Sequence, residues 1–185
     1  MIITITGEPG SGKSTIGKKL AEKLNYERIY MGQIYRDTAK KKNMTVAEFS
    51  EYTQNHPETD FEIDEYQKKL GQEKDNFIIE GRTSWFLIPH SVKLYITVAP
   101  LTGAQRVHKE LQGQNNRNED RKIDTVEDIL DSHKRRMTTD KSRYLKYYQK
   151  DCFDKKNFDF VIDTTNLTPD EVFQKTWTYI ESKLQ

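Results

Sequence analysis

Nine residues near the start of the chain have the types and spacing of a phosphate-binding loop. They match the pattern G-x-x-x-x-G-K-[ST] and are Gly7-Glu8-Pro9-Gly10-Ser11-Gly12-Lys13-Ser14-Thr15. Glycines let the backbone curl so that successive N–H groups point at phosphate oxygens, and a helix that begins here adds the positive end of its dipole. Lys13 can then reach the β- and γ-phosphates, Ser14 can bind Mg²⁺, and Thr15 can support the α-phosphate. The pattern predicts binding of a nucleoside triphosphate with Mg²⁺.

A run that ends in acid-Gly-Arg supplies a second set of charged groups. It is Phe77-Ile78-Ile79-Glu80-Gly81-Arg82. As the end of a strand, Glu80 would lie at the carboxyl edge of the sheet, where open α/β sheets bind ligands, and it could orient a water on Mg²⁺. Arg82 would present a planar guanidinium group to a second anion. Arg36 is another candidate anion ligand, because Gly32 permits a turn into a helix that presents Arg36 inward.

Three charged residues further along share one predicted helical face. Arg136, Asp140 and Arg143 are spaced i, i+4 and i+7. Two guanidinium groups beside one carboxylate could bind a phosphate while the acid contacts a hydroxyl. An ordinary ion-pair ladder along the helix has the same spacing. Three nearby tyrosines are expected to pack this region rather than stack on bases, namely Tyr144, Tyr147 and Tyr148.

Strands and helices alternate along the chain, which predicts an α/β fold with a mainly parallel five-stranded sheet flanked by helices. Four short apolar runs indicate strands buried on both faces, and a weaker fifth strand is Arg28-Ile29-Tyr30. The four runs are at 2–5, 77–79, 92–98 and 158–162. The stripe Ile16, Leu20, Leu24 indicates a helix after the phosphate loop.

Helix start signals divide the rest of the chain. They are Thr45 with Glu48, Thr125 with Asp128, and Thr168-Pro169-Asp170-Glu171. Two polar segments lack strand signals, at about 33–75 and about 103–157. We interpret the chain as a single domain with a core at 1–32, 76–102 and 158–185 and two inserted helical lobes.

Composition excludes several classes of protein. The chain has 185 residues, of which 32% are charged, and its net charge is +1. No apolar run approaches the roughly 20 residues of a membrane span. The pI of 7.8 disfavours a nucleic-acid binder that works through bulk positive charge. A single cysteine, Cys152, excludes an intramolecular disulfide. The apolar start has no preceding cationic segment, so we expect a cytoplasmic protein with no membrane or nucleic-acid partner, and a monomer.

Taken together, these motifs resemble those of nucleoside monophosphate kinases, and most closely the short cytidylate kinases of archaeal type. The guanine-recognising pattern N-K-x-D of GTPases does not occur. The resemblance spans nearly the whole chain. It is carried by the residues 7–15, Gly32, Arg36, 45–52, Asp60, Asp64, Gln67, 80–82, Arg136, Asp140, Arg143, Tyr144 and 159–164.

The resemblance implies a P-loop NTPase fold and the reaction ATP + (d)CMP → ADP + (d)CDP. It implies that 33–75 binds the acceptor nucleotide and that a lid around 113–125 closes over ATP. Lys13, Arg82 and Arg136 would be catalytic, and Arg36 would join the two arginines on the acceptor phosphate. By the same resemblance, Asp140 would contact the acceptor ribose and Arg143 the acceptor near its base. The candidate lid arginines are Arg106, Arg117 and Arg121.

The identity of the acceptor base stays open at this point. Bacterial cytidylate kinases carry an Asp after acid-Gly-Arg that helps to recognise cytosine, whereas this chain has Thr83. A kinase of UMP, AMP or a shikimate-like acceptor is therefore an alternative. A non-catalytic nucleotide-binding or nucleic-acid-associated module is another, given Lys40-Lys41-Lys42 and Lys155-Lys156.

Overall fold

Five parallel strands form one sheet in the order β2-β3-β1-β4-β5. The computed structural model describes residues 1–113 and 123–184. The strands are β1 Ile3–Gly7, β2 Glu27–Tyr30, β3 Phe77–Glu80, β4 Val92–Thr97 and β5 Phe160–Asp163. All four neighbouring pairs are parallel, which confirms the predicted sheet and the weak second strand.

Helices follow the strands on both faces of the sheet. They are α1 Lys13–Leu24, α2 Met31–Lys41, α3 Val46–Tyr52, α4 Pro57–Glu73, α5 Ser84–Leu87, α6 Pro100–Leu111, α7 Val126–Tyr148 and α8 Pro169–Leu184. Capping boxes start α3 and α7 at Thr45 and Thr125, as the sequence predicts. Thr168 and Glu171 exchange the same pair of hydrogen bonds at the start of α8. Within the described residues, no helix is long and apolar enough to cross a membrane.

The hydrophobic core lies on both faces of the three central strands. Alternate side chains of a strand point to opposite faces, so Ile3 and Ile78 pack towards α1 and α8, while Phe77 and Ile79 pack towards α2 and α4. The expectation that the last strand is buried on both faces is wrong, because Val161 is 40% exposed. β5 is an edge strand, which has a neighbouring strand on one side only.

The topology brings the predicted site residues to one edge of the sheet. β1 lies between β3 and β4, so the strand order changes direction at β1, and the loop after β1 opens at the carboxyl edge. α2, α3 and α4 are inserted between β2 and β3, and α6 and α7 lie between β4 and β5. α3 and α6 both pack against α7. The two inserted groups of helices therefore meet around α7.

Candidate functional site

A cavity of about 570 Å³ lies at the carboxyl edge of the sheet. This volume is within the usual range for a small-molecule site. The cavity brings together residues that are far apart in the sequence and that were predicted separately. They are Lys13, Ser14, Arg36, Glu80, Arg82, Arg136, Asp140 and Arg143.

The phosphate loop has the backbone that its glycines predict. Gly10 and Gly12 have φ values of 72° and 87°, in the left-handed region that favours glycine. A Cβ at Gly10 would also overlap the backbone of Gly103 on α6. α1 begins at Lys13, within the phosphate-loop motif, and the Lys13 Nζ donates a 2.6 Å hydrogen bond to the backbone oxygen of Glu8. The amino end of α1 and its first lysine are thus placed together at one end of the cavity.

The Glu8 side chain does not line this cavity, although the sequence places it among the nucleotide-binding residues. Its Oε2 accepts hydrogen bonds from the Val98 backbone N–H at 2.8 Å and from Thr97 Oγ1 at 2.6 Å. The carboxylate is therefore bound to the end of β4, while the backbone of Glu8 remains part of the phosphate loop. The motif leaves this position unspecified, so the direction of the side chain could not be predicted from it.

A buried carboxylate lies beside the phosphate loop. Glu80 is only 2% exposed, and its Oε2 accepts a 3.0 Å hydrogen bond from the Ser14 hydroxyl. Its other oxygen accepts a 2.5 Å bond from Arg28 Nε. Gly17 faces the same carboxylate from α1, where a Cβ would overlap it. Gly17 therefore allows α1 to approach the end of β3 closely enough for Ser14 to reach Glu80.

The oxygens of Ser14 and Glu80 fit the preference of Mg²⁺. Mg²⁺ takes oxygen ligands and commonly keeps waters and substrate phosphates around one or two protein groups. No cluster of three or more His, Cys, Asp or Glu residues that could hold a metal occurs in the described part of the chain. The Ser14 hydroxyl and the Glu80 carboxylate therefore suit a Mg²⁺ site in which phosphate oxygens and waters supply the remaining ligands.

Arg36 is buried and lines the cavity, so it points inward as the sequence predicts. Its guanidinium carbon lies 4.9 Å from the centre of the Tyr30 ring. The predicted reason is wrong, because Gly32 makes no turn and lies inside α2 without a positive φ. A Cβ at Gly32 would come 2.7 Å from the Tyr30 ring. Gly32 therefore leaves room for the ring against which Arg36 packs.

Asp140 connects Arg82 and Arg143. It forms an ion pair with Arg82, and its Oδ1 accepts hydrogen bonds from Arg143 Nη2 at 2.9 Å and from Ser50 Oγ at 3.2 Å. Arg136, Asp140 and Arg143 line the same cavity from α7, so the predicted shared face is confirmed. The pairing of Asp140 with Arg143 means that the ion-pair interpretation also holds within this helix.

Arg143 is held by protein groups on three sides. Its Nη1 donates to the Ser50 backbone oxygen at 3.1 Å and to Thr53 Oγ1, and its Nη2 donates to the Tyr144 hydroxyl at 3.0 Å. Its Nε lies 2.8 Å from Asp60 Oδ2. Arg143 therefore joins α3, α4 and α7, a role that its spacing in the sequence does not indicate.

Two buried acids of α4, Asp60 and Asp64, line the same cavity. Burial raises the pKa of Asp60 to about 6, which the Arg143 guanidinium only partly offsets. Burial also raises the pKa of Asp64, although Tyr148 and Thr83 donate hydrogen bonds to it at 2.6 Å and 2.9 Å. The tyrosines pack this region as expected, since Tyr144 is also buried.

Arg106 lies on α6 and lines the same cavity. Its Nη1 donates to Thr164 Oγ1 at 3.0 Å, and its Nη2 donates to the Thr164 backbone oxygen at 2.7 Å. Arg106 therefore connects α6 to the loop that follows β5. The other two candidate lid arginines, Arg117 and Arg121, lie outside the described residues, as does most of the predicted lid.

Comparison with other sequences identifies the family of this chain. The sequence model of the cytidylate kinase-like family matches residues 2–166. A cytidylate kinase of Archaeoglobus fulgidus is 34% identical over 184 residues, which are 99% of this chain and 96% of the relative. A cytidylate kinase of Methanocaldococcus jannaschii is 36% identical and covers 94% of this chain and 93% of the relative.

Solved structures share the fold at lower identity. An uncharacterized protein from Eubacterium ventriosum matches with a TM-score of 0.69 and 21% identity, covering 98% of this chain and 99% of that one. The shikimate kinase of Acinetobacter baumannii, solved with shikimate, matches with a TM-score of 0.58 and 16% identity, covering 98% and 93%. This chain belongs to the cytidylate kinase-like family and is an ATP-dependent P-loop nucleoside monophosphate kinase.

Proposed function

We propose that the enzyme transfers the γ-phosphoryl group of ATP to CMP or dCMP and releases ADP with CDP or dCDP. One observation carries this proposal. The phosphate loop with Lys13 and the three arginines Arg36, Arg82 and Arg136 line a single cavity from different elements. A cavity with a cationic group at each end suits two phosphate-bearing substrates that must meet.

The phosphate loop end would bind ATP. The loop N–H groups and Lys13 would hold the β- and γ-phosphates, and the amino end of α1 would face the same negative charge. Ser14 and Glu80 would hold Mg²⁺, which when bound neutralises charge on the β- and γ-phosphate oxygens. Arg28 keeps Glu80 in place from the far side of its carboxylate.

The acceptor end would bind the monophosphate. Arg36, Arg82 and Arg136 would orient its phosphate, whose oxygen is already a nucleophile and needs no general base. A bond forms between that oxygen and the γ-phosphorus while the bond from the γ-phosphorus to the ADP oxygen breaks. Lys13 and the arginines would stabilise the negative charge that spreads over the transferred group.

The inserted helices would serve as the two substrate lobes. α2, α3 and α4, at about 33–75, would hold the acceptor, and the segment at about 103–157 would supply the lid. Closure of the lid would exclude water and so prevent hydrolysis of ATP. Arg143 and Asp140 would keep the acceptor lobe aligned with α7, where Arg136 lies.

Acidic groups near the strand end favour cytosine as the base. Thr83 stands where bacterial relatives have an Asp, but its hydroxyl donates a 2.9 Å bond to Asp64 on α4. Gln67 donates to both residues at 2.9 Å. Cytosine presents an amino donor where uracil presents a carbonyl acceptor, and carboxylates suit the amino group. Release of ADP with CMP, dCMP, UMP, AMP and shikimate as alternative acceptors tests the assignment.

A further inference from the structure

The phosphate loop contains an acid, although like charges repel and the loop must bind a triphosphate. Glu8 directly precedes Pro9 and Gly10. The structure resolves this conflict, because the carboxylate faces the end of β4. Lys155 Nζ lies 3.9 Å from Glu8 Oε1 and donates a 3.3 Å bond to Thr97 Oγ1. The negative charge is therefore bound to protein groups outside the cavity.

The main chain of Glu8 is bonded on both sides of its Cα. Its N–H donates a 3.1 Å hydrogen bond to the Ile96 backbone oxygen. Its own backbone oxygen accepts from Lys13 Nζ at 2.6 Å and from the Ser11 N–H at 3.3 Å. The residue whose carboxylate is anchored to β4 thus also carries the carbonyl against which Lys13 is placed.

We propose that Glu8 is a positioning residue for ATP. Its carboxylate binds the end of β4 and so fixes the position of the phosphate loop and of Lys13. Two hydrogen bonds to Oε2, from the Val98 N–H and from Thr97 Oγ1, fix the carboxylate, and the Tyr95 hydroxyl donates a longer bond of 3.5 Å to Oε1. Hydrogen bonds to a charged group are the stronger class in proteins. Loss of the carboxylate would also leave the Val98 N–H without this acceptor.

The same contact links the loop to the helix that leads to the predicted lid. Val98 is followed directly by Ala99 and α6, and Gly103 of α6 packs against the backbone of Pro9 and Gly10. The inference rests on the proposed role of the loop in binding ATP, but it does not depend on which acceptor is used.

Direct titration of ATP and steady-state kinetics of three variants test the proposal. Glu8→Ala removes the acceptor, and we expect ATP affinity to fall by about 10- to 100-fold while the KM for the acceptor stays within about twofold. Glu8→Gln keeps an oxygen for the Val98 N–H and is expected to restore most of that affinity. Thr97→Val removes one donor at nearly constant shape and is expected to weaken ATP by about threefold to tenfold.

The matched control lies at the other end of β4. Asp159 Oδ2 accepts a 2.8 Å hydrogen bond from the Lys93 backbone N–H, far from the cavity. Asp159→Ala therefore removes the same kind of bond, and it is expected to lower the melting temperature without changing ATP affinity.

The proposal is overturned if Glu8→Ala and Asp159→Ala change ATP affinity equally, or if Glu8→Gln binds ATP as weakly as Glu8→Ala. If Glu8→Ala fails to fold, Thr97→Val decides, and unchanged ATP affinity in it overturns the proposal. If the wild-type protein binds no ATP, the proposed function itself fails.

Discussion

The Ser14 hydroxyl donates a 3.0 Å hydrogen bond to Glu80 Oε2 and so joins the first turn of α1 to the end of β3. Arg28 holds the other oxygen of Glu80 at 2.5 Å. Two oxygen ligands that suit Mg²⁺ are therefore fixed beside the phosphate loop by the fold itself. Groups that are already in place need little reorganisation when the reaction begins.

Replacing Glu80 with Gln tests this arrangement. The amide keeps the size of the side chain but removes the negative charge that would attract Mg²⁺, so we expect kcat to fall by about 100-fold and the Mg²⁺ concentration for half-maximal rate to rise. Glu27→Gln, at an exposed acid on β2 that pairs with Lys74, is the control and should change neither quantity. An unchanged Mg²⁺ requirement in Glu80→Gln would argue against the metal site.

Lys13→Met should abolish phosphoryl transfer and leave the fold intact. The thioether retains the length of the stem but cannot neutralise the charge on the β- and γ-phosphates, and we expect a loss of at least about 1,000-fold in kcat. Circular dichroism and melting temperature would check the fold. The control is Lys18→Met, since Lys18 is exposed on the same helix. An active Lys13→Met enzyme would contradict the assignment of the loop.

Arg82 tests the acceptor end of the cavity. Arg82→Lys keeps a positive charge near Asp140 but loses the planar donor fork, so we expect the KM for the acceptor to rise by about tenfold and the KM for ATP to stay within about twofold. Arg135→Lys, at an exposed position beside Arg136, is the control. Equal increases in both KM values would mean that Arg82 does not belong to the acceptor site.

Asp60 gives the protein a defined pH dependence of stability. Its pKa is raised to about 6 by burial, whereas the unfolded chain ionises near pH 4. Between these values the folded state holds the proton more tightly, so ionisation of Asp60 removes stability as the pH rises. We expect the free energy of unfolding of the wild type, relative to Asp60→Asn, to fall by up to about 3 kcal/mol between about pH 4 and pH 7.

Urea denaturation at several pH values across that range checks this expectation. Glu62→Gln is the control, because Glu62 is an exposed acid on the same helix. Its difference from the wild type should be nearly independent of pH. A difference between wild type and Asp60→Asn that is constant or grows with pH would show that burial does not control this carboxyl group.

Much of the fold can be predicted from the sequence because its signals are local. Short apolar runs predicted the strands, and capping boxes predicted the starts of α3 and α7. The helical period predicted that Arg136 and Asp140 share one face. The direction of the Glu8 side chain could not be predicted, because it depends on the Val98 N–H, which follows a strand distant in the sequence. The raised pKa of Asp60 likewise depends on helices that meet only in the folded chain.

The acceptor preference is the central claim, and steady-state release of ADP at saturating ATP measures it most directly. CMP, dCMP, UMP, AMP and shikimate would each be varied as the acceptor. We expect kcat/KM for CMP and dCMP to exceed the values for the other three by at least about tenfold. UMP and shikimate lack the amino group with which the buried acids would pair, and AMP carries its amino group on a larger, two-ring base. A preference for UMP, AMP or shikimate, or ADP release only when a polynucleotide is added, would contradict the assignment.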